Sequence, residues 1–265
     1  MKKNIYTFLI SLIMIASASI SPKAAETATA NHSFHTERHS IEEPVVHTGD
    51  LYSPAESIEE QLMALPEEKR AIAIEKLQDA DDNSQIMPFA DTTWNYVPRF
   101  IMYKQETSYY CVPACCKAAM QCLTGSSATQ SEIANALGTT SREIIPKGTI
   151  FLNARTYLNS HQSKNLYISK PASTDLSTMK NNFYTSIHTY DAPPLISTAF
   201  KKDEGWTYST DGHTMCISGY RNDLAYFMVG DPYIKWVNPN ASMVYDKPAS
   251  VIHKAISQRG NGYIY

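Results

Sequence analysis

Gln105-Glu-Thr-Ser-Tyr-Tyr-Cys111-Val-Pro-Ala-Cys-Cys116 is the stretch on which the fold turns. From Val112 the apolar residues recur at helical spacing: Val112, Cys115, Cys116, Ala119, Met120 and Leu123 share one face. Pro113 stands in the first turn and Gly125 just beyond the end, which predicts a helix over 112–123 with Cys111 at its start. Tyr96 to Tyr103, upstream, reads as an extended lead-in. Downstream, Thr129-x-x-Glu132 is a capping box that opens a short helix ending near Gly138. A third helix is expected over about 149–160. A fourth starts near Asp175, with Leu176, Met179, Phe183 and Ile187 inward. The period then becomes two. Leu195-Ile-Ser-Thr-Ala199, Thr214-Met-Cys-Ile-Ser-Gly-Tyr220 and Leu224-Ala-Tyr-Phe-Met-Val229 read as strands. Helices first and an antiparallel sheet afterwards predict an α+β domain.

The chain of 265 residues has room for leader segments before that domain. Met1-Lys2-Lys3, an apolar run from Ile5 to Ala18 and the small residues Ala16-Ser17-Ala18 read as a signal peptide over 1–18, with an uncleaved anchor as the alternative. Residues 19–55 show little periodicity and are expected to be flexible. Residues 56–79 read as helix, interrupted at Pro66. We place the boundary between a prosegment, 19–90, and a compact domain, 91–265, at 80–92. The two differ in charge: residues 26–90 carry 14 acidic and 4 basic side chains, residues 91–265 carry 12 and 16. Opposite signs fit an acidic segment that docks on a basic domain, and fit equally a solvated acidic spacer. The basic residues form no cluster, so nucleic-acid binding is not indicated.

Cys111, Cys115, Cys116, Cys122 and Cys216 are an odd set, four of them within one predicted helix. At about 1.5 Å rise per residue, Cys115 and Cys122 lie about 10 Å apart, out of disulfide reach. Cys115, Cys116 and Cys122 are read as small core residues. No HExxH or CxxC pair occurs, so neither a metal nor another cofactor is expected.

Cys111 differs by position. A helix N-terminus favours thiolate, the nucleophilic form, although a buried structural cysteine satisfies the same sequence. His213 follows Asp211-Gly212 and opens an apolar strand, which suits a base or a capped core histidine. Arg221-Asn-Asp223 reads as a turn. A hairpin centred near Asn222 sets His213 opposite Asp231 within a residue or so. Asp231 would then hold the imidazole in one tautomer; Asp231-Pro232 is also a turn start. Gln105 offers an amide beside Cys111 for an oxyanion, or is a surface residue.

Gln105-x5-Cys111, the following Val-Pro-Ala-Cys, Gly-His213-Thr-Met-Cys-Ile-Ser-Gly-Tyr and Gly-Asp231-Pro resemble the C39-like branch of the papain-like cysteine peptidases over residues 94–240. One departure is Val112, where such sequences commonly carry Gly. The resemblance implies a papain-like fold, with a helical half packed on an antiparallel sheet and the site between them. It implies Cys111 as nucleophile, His213 as base, Asp231 as orienting acid and Gln105 as oxyanion donor. The expected protein is a secreted cysteine peptidase made as a preproprotein, acting on peptides or proteins, with its prosegment as intramolecular inhibitor. Hydrolysis and acyl transfer share the thioester, and a non-catalytic binding protein on the same scaffold is the remaining alternative.

Overall fold

The apolar face of 112–123 and the β-branched runs of 195–230 each need a partner, and in the computed structural model they bury against one another. The structure describes residues 44–83, 91–141 and 146–265. The signal peptide and the first part of the prosegment, residues 1–43, lie outside the described residues, as do 84–90 within the expected boundary.

In chain order the elements are β1 (Val46–His47), β2 (Asp50–Leu51), α1 (Ile58–Met63), α2 (Glu67–Asn83), β3 (Trp94–Tyr96), α3 (Cys111–Thr124) and α4 (Gln130–Ala136). There follow β4 (Thr149–Ile150), α5 (Asn153–His161), β5 (Ser169–Lys170), α6 (Leu176–His188), β6 (Leu195–Phe200), β7 (Thr210–Arg221) and β8 (Tyr226–Gly230). The chain closes with α7 (Ile234–Val237), β9 (Val244–Pro248), α8 (Ala249–Arg259) and β10 (Tyr263–Ile264). The main sheet runs β5-β10-β6-β7-β8-β9, with β1 and β3 also paired to the long β7. Its core ladders, β6 to β9, are antiparallel, and helices and sheet make the expected α+β fold.

α3 starts at Cys111 and ends with Gly125 in the left-handed region (φ 79°), which a glycine adopts without a Cβ penalty. Eleven of its residues are buried, Cys115, Cys116 and Cys122 among them, and all five cysteines are unpaired. Thr129 caps α4 with the predicted reciprocal bonds to Glu132. Asp175 caps α6, whose Met179, Phe183 and Ile187 face the core. Phe183 meets Phe227 and Tyr263 edge to face.

One expectation needs correction. Residues 44–55 are not a flexible tail: Thr48, Asp50 and Ser53 are buried. The segment is held by backbone pairing and polar side chains, which leave no hydrophobic period to read. The expected division at 80–92 falls within one compact unit, Glu42–Tyr265, as it would for a prosegment docked on its domain. α2 buries Ala73 and Ala80 in the main core. It also buries Lys76, whose Nζ donates to Asn165 Oδ1 at 2.6 Å and sits over the rings of Tyr167, Tyr190 and Tyr265.

Candidate active site

Cys111 is the first residue of α3, and no side chain caps that helix end. Its leading N–H groups therefore have no intrahelical partner, and the helix dipole adds positive potential there. His213 lies on β7 opposite Thr198 of β6. Asp231 follows Gly230, the last residue of β8, which pairs with Cys216. The turn-centred register is shifted from the expected one by two to three residues, with an irregularity between Ile217 and Gly219. The expected contact nonetheless forms: His213 Nε2 donates to Asp231 Oδ1 at 2.9 Å, with both side chains fully buried.

Asp231 is surrounded by donors. Oδ1 accepts from the backbone N–H of Tyr233 (2.8 Å) and Ile234 (3.2 Å), and Oδ2 from the hydroxyls of Tyr245 (2.8 Å) and Tyr208 (3.2 Å). Burial pushes the carboxyl up, but the His213 imidazole, the Tyr233 amide and the Tyr245 hydroxyl together bring it below its ordinary value. An ionised Asp231 fixes a proton on His213 Nε2 and leaves Nδ1 to face the cleft.

That nitrogen faces Thr48. The Thr48 hydroxyl lies 2.6 Å from His213 Nδ1 and donates to the Gly212 carbonyl at 2.8 Å, and it neighbours the Cys111 thiol, which it pulls down in pKa. Cys111 and His213 thus meet through a residue of the N-terminal segment. Burial, with a smaller contribution from the nearby Asp50 carboxylate, pushes the Cys111 thiol up to about 12, so it is held as a thiol. Burial thus opposes the thiolate that a helix N-terminus would favour.

The segment carrying Thr48 packs between β7 and β4. β1 runs parallel to β7, with Val46 N–H on Ser209 O and Thr48 N–H on Gly212 O, both 3.1 Å. β2 runs parallel to β4, and Thr149 N–H donates to Gly49 O at 2.7 Å. Gly49 has φ 103°, and a Cβ there would fall on the Tyr109 carbonyl; the chain passes this point only as glycine. Asp50 is fully buried next door. Ser197 Oγ (2.5 Å) and Thr214 Oγ1 (3.0 Å) donate to its Oδ2, and Asn261 Nδ2 (2.9 Å) to its Oδ1. Burial raises this carboxyl, against the opposing pull of Arg259 and the two hydroxyls.

Gln105 is buried in the same region. Its N–H bonds Pro232 O and its carbonyl accepts from Trp236 Nε1, each at 3.0 Å. Its side-chain Nε2 donates to Thr107 O at 2.8 Å, and Oε1 is buried without a partner. Sequence reasoning missed Thr48, Asp50, Tyr208 and Tyr245. Thr48 and Asp50 lie far from the motifs in sequence; Tyr208 and Tyr245 lie close to His213 and Asp231, but nothing local marks any of the four.

The model of the Peptidase C39-like family matches residues 97–252, more than half of the chain, and the chain belongs to that family. Similar solved structures include one described as a C39-like peptidase from Bacillus anthracis. It has a TM-score of 0.46 and 13% identity, covering 65% of this chain and 96% of that one. Another is the peptidase domain of Streptococcus ComA, a bifunctional ABC transporter of a quorum-sensing pathway. It has a TM-score of 0.39 and 14% identity, covering 63% and 97%. No curated protein matches the sequence at a significant level. Among the described residues, no helix is long and apolar enough to cross a membrane.

Proposed function

We propose that the chain is the precursor of a secreted cysteine peptidase that uses Cys111, His213 and Asp231. The observation that carries the reading is the buried His213–Asp231 pair, with its second nitrogen turned to the Thr48 hydroxyl, next to Cys111. With Thr48 withdrawn, His213 Nδ1 takes the thiol proton and Sγ attacks a peptide carbonyl. The Cys111 backbone N–H and the second N–H of Gln105 receive the oxyanion. Imidazolium then protonates the leaving amine, and a thioester remains. Water, deprotonated by His213, hydrolyses it and returns the thiol.

Val46–Leu51 is the inhibitory part of the prosegment in this reading. Thr48 separates thiol from imidazole, and the surrounding backbone pairs close the cleft. α1 and α2 belong instead to the mature body. Export by the 1–18 leader completes the proposal, and the substrate is a peptide or protein.

The test is a chain beginning at Tyr52. It is expected to hydrolyse a mixed peptide library that the full chain leaves intact, and Cys111→Ala in the short chain is expected to abolish cleavage with the fold retained. Cleavage that survives Cys111→Ala removes the nucleophile assignment. Products formed only with an added amine acceptor favour transfer.

A further inference from the structure

The side chain of Asp50 occupies a pocket that the rest of the molecule builds for it. Ser197 comes from β6, Thr214 from β7 next to His213, Arg259 from the end of α8 and Asn261 from the turn after it. Each presents a donor. Asn261 is fixed in orientation, because its Oδ1 accepts from Ser53 N–H at 2.8 Å while its Nδ2 reaches Asp50 Oδ1 and Ser197 Oγ. Ser197 therefore accepts from Asn261, and its own proton goes to Asp50 Oδ2. Arg259 donates to the Asp50 carbonyl at 2.7 Å and holds its guanidinium 3.8 Å from Oδ1. Its buried Nε has no partner, so the pocket's capacity as a donor is not exhausted by Asp50.

We propose that Ser197, Thr214, Arg259 and Asn261 form a carboxylate-recognising subsite of the peptide cleft, filled by Asp50 in the full chain and by an acidic side chain of the substrate in the mature enzyme. The inference rests on the peptidase reading for the word substrate. The chemistry is independent of it: a largely buried pocket of donors recognises a carboxylate, and exchanging the carboxylate for an amide sets N–H against N–H. The pocket adjoins the residue after His213, so its occupant runs past Cys111, as Thr48 and Gly49 do. The same subsite then explains how a segment of so few residues stays in place, since Asp50 is its fully buried carboxyl anchor, beside the exposed contact of His47 with Asp211.

The experiment uses the full chain, with alkylation of Cys111 by iodoacetamide, mapped by mass spectrometry, as the readout of an open cleft. Asp50→Asn and Asp50→Ala are each expected to raise the labelling rate about tenfold or more, the scale of a lost charged hydrogen-bond set. Asn keeps the shape, so a folding defect in Ala alone is recognised from its thermal melt. In the Asp50→Ala chain the hexapeptide Val-His-Thr-Gly-Asp-Leu is expected to protect Cys111 at about one-tenth the concentration needed of Val-His-Thr-Gly-Asn-Leu. Adding Arg259→Gln should erase that difference. Equal protection by the two peptides, or unchanged labelling in both Asp50 variants, overturns the subsite. Protection needs no hydrolysis. Acid preference without cleavage of any peptide leaves the subsite standing and removes the peptidase reading, while cleavage without acid preference does the reverse.

Discussion

Asp231 accepts a hydrogen bond from His213 and from four further donors, among them the hydroxyls of Tyr208 and Tyr245. In Asp231→Asn the amide oxygen can still take the His213 N–H, and the amide N–H can turn to the tyrosine hydroxyls, so the fold should persist. What is lost is the charge that stabilises imidazolium, and turnover in the opened enzyme is expected to fall roughly a hundredfold. Unchanged turnover would remove Asp231 from the mechanism. The same residue sets an acid limit. Its carboxyl lies below its ordinary value of 3.8 in the folded chain, so its stabilising contribution is complete above that value and lost as pH falls through the depressed one. Melts of the native chain and Asp231→Asn should therefore converge as pH drops below about 4. Parallel curves down to the acid limit would contradict the lowered Asp231 carboxyl.

Gln130 at the start of α4 holds the loop that carries Gln105. Its Nε2 donates to Lys104 O at 2.8 Å, and its Oε1 accepts from Glu106 N–H at 3.0 Å. Gln130 is buried, so Gln130→Ala leaves a backbone donor and acceptor without partners. We expect a loss of about 2 kcal/mol in urea denaturation, together with slower turnover from a mispositioned Gln105. A loss in stability with turnover untouched would show that the loop's placement does not reach the chemistry. α3, α4 and α6 were legible in the sequence because an apolar period and an end signal coincide in each. β9, α8 and β10 were not. β9 is partly exposed along its length, and β10 is two residues long, so neither carries a pattern.

Across the whole molecule, α2 covers the side of the core where Lys76 lies among three tyrosine rings. A chain starting at Asp91 uncovers those rings and the apolar surface that Ala73 and Ala80 occupy. It is expected to melt well below a chain starting at Tyr52, by several degrees for each kcal/mol lost. Equal melting temperatures would show that α1 and α2 belong with the removable segment after all. Maturation is thus expected to cut between Leu51 and α1, ahead of the charge change near residue 90.

The sequence by itself determined the helix that starts at Cys111, the α+β order, the strand that carries His213 and the strand that ends just before Asp231. These follow from local period, capping residues and a turn, all of which act over a few residues. The pairing arithmetic missed the register by two to three residues and still predicted the contact, because Asp231 lies just past the end of β8 and its side chain reaches back to β7. Only the tertiary structure decided what fills the cleft. Thr48 at the imidazole and Asp50 among Ser197, Thr214, Arg259 and Asn261 are contacts between residues as many as 211 positions apart. They are made by polar groups and backbone, which leave no period in the sequence. The burial of Cys111, which opposes the thiolate that a helix terminus would favour, is also a matter of tertiary packing.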